Sequence, residues 1–100
     1  MVYRNVAIAA RAVDANNNPV RDIVLTFKYR VSGASEWTTV GTATTDMDGV
    51  ATYVVVLPVP GTYDFRVDFD GNYDYEPAYA EVNDVRIRAT LRIGVTVTPG

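Results

Sequence analysis

The sequence predicts an all-β fold, a Greek-key β-sandwich of about seven strands. Along most of the chain apolar and polar residues alternate with a period of two, the pattern of strands that bury one face. No segment combines the i, i+3, i+4, i+7 spacing of an amphipathic helix with capping residues at its ends. Clusters of Gly, Pro, Asn and Asp interrupt the alternation at short intervals, as turns between short strands do.

Three strands are predicted in the first half of the chain. The first ends near Val13 at the turn-forming stretch "DANNNPV", and its inward face would hold Val6, Ile8, Ala10 and Ala12. The second covers residues 22–30 and would bury Ile23, Leu25, Phe27 and Tyr29. The third covers the Thr-rich residues 37–45, and the turn "DMDG" predicts a hairpin in which Gly49 takes a positive φ.

Two more strands follow in residues 50–70. "VATYVVVLP" ends at Pro58 and Pro60, which cannot donate a hydrogen bond to a neighbouring strand. "TYDFRVDFD" alternates most clearly, with an apolar face formed by Tyr63, Phe65, Val67 and Phe69. Its other face carries Asp64, Arg66, Asp68 and Asp70, which we expect to contact solvent.

The C-terminal alternation is longer than one strand of a small domain. After the loop "GNYDYEPAY" it continues over residues 85–98, which fully extended would span about 45 Å. Three alternatives follow: the run bends at Gly94, switches sheets, or projects from the domain. In the last case residues 90–100 would connect this single domain, residues 1–100, to a following domain or pair with another subunit.

Composition limits the classes of function. One hundred residues, 48% of them hydrophobic, suffice for one sandwich core. A net charge of −3 gives no positive field for nucleic acid, and no apolar run is long enough for membrane insertion. The chain has no His and no Cys, which excludes disulfides and thiol chemistry and removes the usual general base and metal ligand.

Three stretches of the chain resemble a known family. "AVDANNNPVRDIVLTFKY", "WTTVGTATTDMDGVATY" and "PGTYDFRVDFDGNYDYEP" occur in the order seen in the bacterial and archaeal immunoglobulin-like repeat domains of surface proteins. This resemblance covers residues 6–82 and implies an immunoglobulin-like sandwich. The chain is similar, more weakly, to carboxypeptidase-regulatory-like and transthyretin-like domains and to collagen-adhesin B-type stalk repeats.

The resemblance also implies a role. In these families the domain is typically a spacer, adhesive or assembly unit outside the cell, partnered by neighbouring domains or by other copies of itself. The stalk repeats often carry a Lys to Asn isopeptide bond, for which this chain offers only Lys28. The last strand of such a sandwich usually pairs with the "TYDFRVDFD" strand, so that Arg86, Arg88 and Arg92 would face Asp64 and Asp68 as structural ion pairs.

Tyrosines are the main candidates for a binding surface. Tyr63, which follows Gly61 in "PGTY", predicts a tyrosine corner, with its ring in the core and its hydroxyl bonded to the backbone just upstream. Tyr73, Tyr75 and Tyr79 either bind carbohydrate or peptide or cap the end of the core.

Ion binding and catalysis have less foundation in the sequence. If calcium binds, Asp70, Asn72 and Asp74 are the first candidates, but no calcium loop is complete and Asx turns explain the same residues without an ion. We predict no cofactor and no catalytic residue, because the serines lack a base and the paired carboxylates lie on an open face. The sequence therefore predicts a non-catalytic structural module, with a ligand-binding module or an accessory domain of a secreted hydrolase as alternatives.

Overall fold

Seven strands in two sheets form the structure, as the sequence predicted. The computed structural model describes residues 4–57, 61–87 and 91–99. The strands are β1 (Arg4–Ala12), β2 (Val24–Val31), β3 (Thr38–Thr44), β4 (Val50–Leu57), β5 (Gly61–Phe69), β6 (Ala78–Ile87) and β7 (Leu91–Val97). In these residues there is no helix long and apolar enough to cross a membrane.

The two sheets pack face to face as a sandwich. One sheet has the strand order β4-β1-β7 and the other the order β3-β2-β5-β6. Neighbouring strands are antiparallel except β1 and β7, which run parallel. In antibody constant domains the first, second, fourth and fifth strands share a sheet. Here the first and fourth strands lie in one sheet and the second and fifth in the other, so the strand distribution differs from that of an antibody domain.

The core between the sheets follows the predicted alternation. The inward residues of the first strand are all fully buried: Val6, Ile8, Ala10 and Ala12. The inward row of the fifth strand is also buried, and it consists of Tyr63, Phe65, Val67 and Phe69. Ile23, Leu25 and Phe27 are buried as well, while Tyr29 is half-buried. Because each large apolar side chain contributes about 1.5–3 kcal/mol on burial, these rows fix which face of each strand points inward.

The hairpin predicted around "DMDG" is not formed. β3 pairs with β2 and β4 pairs with β1, so the chain passes from one sheet to the other at this turn. Gly49 has a φ of 75°, and a Cβ on it would lie 2.6 Å from the carbonyl oxygen of Ala12. The buried Thr45 hydroxyl stabilises the segment in which the chain passes between the sheets. It donates a hydrogen bond to Val20 O at 2.8 Å and accepts one from Ile23 N at 3.1 Å. These contacts between residues distant in sequence explain the change of sheet.

The long C-terminal alternation is two strands in different sheets. β6 pairs with β5 and ends at Ile87, whereas β7 begins at Leu91 beside β1. Gly94 lies within β7 opposite Ala9, so the chain changes sheets before it reaches this glycine. Of the three alternatives, the structure shows the switch between sheets. β6 also begins at Ala78, inside the segment predicted to be a loop.

Candidate functional site

Two surface regions hold the candidate residues. The tyrosine loop, residues 70–77, joins β5 to β6 at one end of the sandwich, and Tyr79 follows it on β6. The charged face is the outward side of β2, β5 and β6, formed by Lys28, Arg30, Asp64, Arg66, Asp68 and Glu81.

The tyrosine loop is closed by its own backbone. Gly71 has a φ of 93°, and a Cβ on it would lie 3.0 Å from the Pro77 ring. Asn72 Oδ1 accepts hydrogen bonds at 2.8 Å from the backbone N–H groups of Asp74 and Tyr75, and Asn72 N donates to Tyr75 O. The side chain of Asn72 therefore shapes an Asx turn.

The calcium candidates do not converge in this structure. The oxygen of Asn72 that a cation would need already accepts two backbone hydrogen bonds. Within residues 4–57, 61–87 and 91–99, no group of three or more acidic side chains is placed to hold a metal ion together. In the earlier "DMDG" stretch, Asp46 Oδ1 likewise accepts from the backbone N–H groups of Asp48 and Val50. Both stretches thus have the geometry of Asx turns.

The three tyrosines lie in three different settings. Tyr75 is half-buried against the core, so it caps the end of the sandwich. The side chain of Tyr73 is fully exposed. Tyr79 is 59% exposed, and the guanidinium of Arg66 lies 3.9 Å from its ring centroid, within the range of a cation–π contact. In the described part of the chain no ring contact joins the three, and Tyr73 is the most exposed of them.

Two adjoining hollows lie at the tyrosine loop, and Tyr73 lines the larger one. The larger, about 690 Å³, is lined by the tyrosine loop itself, and the smaller, about 380 Å³, extends from Gly71 to Ile23 and Val24. The charged side chains that line them are all acidic: Asp22, Asp70, Asp74 and Glu76. The negative charge favours a neutral or cationic ligand over an anionic one.

Asp64 lies in a polar cluster and not in solvent, so the sequence-based expectation was wrong for this residue. Its side chain is only 4% exposed because the side chains of neighbouring strands cover it. Oδ2 accepts a hydrogen bond from Arg30 Nε at 2.8 Å, and Oδ1 accepts from Ser32 Oγ at 2.8 Å and from Asp84 N at 2.9 Å. The Asp84 N–H, followed by the Arg30 guanidinium, holds the pKa of Asp64 below its usual value.

A β-bulge in β6 brings the Asp84 N–H to this carboxylate. Tyr63 lies opposite Val85 and Phe65 opposite Val82, so two residues of β6 face Asp64 alone. Asp84 is one of the two and has a φ of 58°, a left-handed conformation that Asp tolerates better than most residues. Asp64 therefore connects β2, β5 and the bulge of β6.

Asp68 is partly shielded in the same way, with a side chain that is 13% exposed. Its Oδ1 accepts from Arg66 Nε at 2.8 Å. Within the described residues Oδ2 accepts no well-directed hydrogen bond, and the Lys28 ammonium 2.8 Å away is its charge partner. Burial acts to raise the pKa of Asp68, but the contacts with Lys28 and Arg66 outweigh it and leave the pKa below its usual value. Paired and ionised carboxylates of this kind are poor proton carriers near neutral pH.

The ion pairs expected from the last strand are not those of the structure. Arg86 lies opposite Thr62, and in the described residues it forms no ion pair with Asp64 or Asp68. Arg92 lies on β7 in the other sheet, and Arg88 lies outside the described residues. Because β2 and not the last strand supplies the partners, Asp64 pairs with Arg30 and Asp68 with Lys28.

Lys28 was also the residue considered for an isopeptide bond. Its ammonium lies 2.8 Å from Asp68 Oδ2. The pair has the properties of an ion pair.

Tyr63 is buried at the start of β5, with the ring of Tyr29 edge-on at 5.9 Å between centroids. Burial, followed by the proximity of Tyr29, raises the pKa of its hydroxyl. Gly61 lies two residues before it and is exposed. The backbone just upstream, residues 58–60, lies outside the described residues, so the hydrogen bond of the tyrosine corner stays a prediction.

Several residues of these clusters were not singled out from the sequence. Arg30 stacks on Trp37, with its guanidinium carbon 4.3 Å from the ring centroid, while Ser32 and Asp84 complete the shell of Asp64. The alternation of β2 did place Lys28 and Arg30 on one outward face. The missing information was the order of strands, which places β2 beside β5.

No protein-family model matches the chain, and no curated protein matches its sequence.

Proposed function

We propose that the chain is a non-catalytic structural and interaction module of an extracellular or cell-surface protein. It would act as a spacer or assembly unit that holds neighbouring domains, or other copies of itself, at a fixed distance. The proposal includes no cofactor.

The observation that carries this proposal is the parallel pairing of β1 with β7. Val6 lies opposite Leu91 at one end of the pair and Ala12 opposite Val97 at the other. Because the strands run side by side in the same direction, β1 begins at one end of the pair and β7 ends at the opposite end. The chain therefore enters and leaves the sandwich at opposite ends, which suits a unit in a linear array.

Shape and resemblance support the same role. The molecule measures 44 × 26 × 20 Å along its principal axes, so a row of such units would be elongated. The immunoglobulin-like repeats that the sequence resembles and the stalk repeats that it resembles more weakly are both spacers or assembly units. The proposal of an extracellular or cell-surface location rests on this resemblance.

Tandem copies test the spacer role. We would join three copies head to tail and compare their maximum dimension with that of one copy by small-angle X-ray scattering. We expect the maximum dimension to grow with each copy by an amount approaching the 44 Å long axis. A three-copy protein that stays nearly as compact as three packed spheres would contradict the proposal.

A second candidate function is the binding of carbohydrate or peptide at the tyrosine loop. It is favoured by the full exposure of Tyr73 beside the hollow of about 690 Å³. A free aromatic ring can stack on a sugar or on a peptide side chain, and the acidic lining favours neutral oligosaccharides or Lys-rich peptides. The role of an accessory domain beside a hydrolase is decided by the sequence that flanks this domain in the parent protein.

Titration with neutral oligosaccharides and Lys-rich peptides tests the binding function. Tyr73→Ala should abolish binding and leave the fold intact, because the Tyr73 side chain is fully exposed. The matched control is Met47→Ala, which removes another exposed apolar side chain outside the loop. Absence of binding to the unmodified protein, or equal binding by both variants, would exclude this function for the ligands tested.

A further inference from the structure

Building on the proposed spacer function, we infer that the β1–β7 pair is a mechanical clamp, which resists force applied between the two ends of the chain. The inference depends on the direction in which such a force meets the hydrogen bonds of this pair.

Force applied end to end shears the two strands past each other. Pulling on the beginning of β1 and the end of β7 acts along both strands in opposite directions, because the pair is parallel. Hydrogen bonds between parallel strands are evenly spaced along the ladder. All of them therefore carry the load together. If both strands were pulled from the same end, the bonds would break one after another.

The pair is built without interruption. It extends from Val6 opposite Leu91 to Ala12 opposite Val97 with no shift of register, whereas the β2–β3 and β5–β6 pairs each contain a bulge. A hydrogen bond of 3.0 Å from Val13 N to Val97 O extends the ladder by one residue. Val97 is fully buried, so sliding of β7 would also disturb the core.

β7 is held in its sheet by β1 alone. It is an edge strand of the order β4-β1-β7, and its only sheet neighbour in the described part of the chain is β1. Within the sheet, force that enters at the end of β7 therefore passes to β1 through this one ladder. The strength of the ladder sets the resistance of the sheet to an end-to-end pull.

The direction of the Val97 carbonyl identifies a matched pair of substitutions. Val97 O faces β1, and alternate residues of a strand direct their backbone groups to the same side, so Ile93 also faces β1. Thr96 faces away from β1. Proline has no backbone N–H, so Ile93→Pro removes a hydrogen bond of the clamp, while Thr96→Pro removes none because the N–H at position 96 points away from β1.

Single-molecule pulling in two directions tests the clamp. The chain has no cysteine, so introduced cysteines provide unique attachment points. Attachment at Asn5→Cys and Thr98→Cys applies shear, whereas attachment at Asn16→Cys and Thr98→Cys pulls from one end of the pair. We expect a severalfold higher unfolding force in the first direction. Equal forces in the two directions would overturn the inference, and this comparison requires no change within the ladder.

The proline variants provide the second readout. We expect Ile93→Pro to lower the end-to-end force towards that of the peeling direction and Thr96→Pro to leave it nearly unchanged. Val85→Ala, on β6, should lower the stability measured in urea but should lower the end-to-end unfolding force less than Ile93→Pro does. Equal effects of the two prolines would contradict the clamp. If tandem copies are extended but the forces are equal, the clamp fails and the spacer function stands; compact tandem copies contradict the spacer function itself.

Discussion

Asp64 shows how much of this sandwich depends on single polar residues. Its carboxylate accepts from Arg30 and Ser32 and from the backbone of Asp84, so one side chain holds three consecutive strands of the sheet together. Strand alternation correctly assigns Asp64 to the outward face. It does not reveal that the register of the neighbouring strands places hydrogen-bond donors around this carboxylate.

Removal of the Asp64 carboxylate should be costly. Asp64→Ala leaves the guanidinium of Arg30 and two further donors without their acceptor in a nearly enclosed position. We expect a loss of about 2–3 kcal/mol in the free energy of unfolding, measured in urea. The control, Asp70→Ala, removes an exposed carboxylate that follows the same strand and should change stability by less than about 0.5 kcal/mol. Equal losses would contradict the role of Asp64.

The lowered pKa values predict how stability depends on pH. The pKa values of Asp64 and Asp68 are lower in the folded chain than in the unfolded chain, where the pKa of Asp is about 3.9. In acid the unfolded state therefore binds more protons than the folded state. Above the unfolded pKa the two carboxylates contribute fully to the free energy of unfolding, and this contribution is lost as the pH falls through their folded pKa values. Urea unfolding between neutral pH and about pH 2 should show this loss, and Asp64→Asn should reduce it. An undiminished loss in Asp64→Asn would exclude Asp64 as its source.

Two glycines allow a comparison of backbone strain. Gly49 has a φ of 75° and lies against the carbonyl of Ala12, whereas Gly94 has open space and no positive φ. Gly49→Ala should therefore cost about 1–3 kcal/mol in urea unfolding, and Gly94→Ala should be neutral or slightly stabilising because alanine is less flexible when unfolded. A harmless Gly49→Ala would show that the turn between β3 and β4 can rearrange.

At the scale of elements, Tyr53 joins the edges of the two sheets. It lies on β4 and donates from Oη to the carbonyl of Val40 on β3 at 2.8 Å, and its ring stacks on Phe27 at 5.5 Å. Val40 is the extra residue of the bulge that shifts β3 against β2. A Cβ on Gly41 would overlap the Tyr53 ring, so glycine at this position makes room for the contact.

Tyr53→Phe isolates the hydrogen bond of this contact. The variant keeps the ring stacked on Phe27 and should lose about 1 kcal/mol of stability in urea. Tyr73→Phe removes a hydroxyl from a fully exposed side chain and should have no effect. If Tyr53→Phe is as stable as the unmodified chain, this hydrogen bond does not contribute to the closure of the sandwich edge.

At the scale of the whole molecule, the sequence was informative about the strands and uninformative about their neighbours. Period-two alternation predicted the inward rows of β1, β2 and β5 because burial acts on each strand separately. The change of sheet after Thr45, the break after Ile87 and the pairing of Arg30 with Asp64 depend on contacts between distant segments. Local patterns do not encode such contacts, and for this reason the predicted hairpin and the predicted ion pairs of Arg86 with Asp64 and Asp68 were wrong.

The parallel placement of β7 beside β1 is the central claim, because both the spacer function and the clamp depend on it. The distance between spin labels at Asn5→Cys and Thr96→Cys, measured by pulsed electron paramagnetic resonance, tests this placement directly. Thr96 lies opposite Arg11, so the two labelled Cα atoms should be about 20 Å apart. A separation below about 10 Å, as an antiparallel β7 beside β1 would give, would contradict the claim.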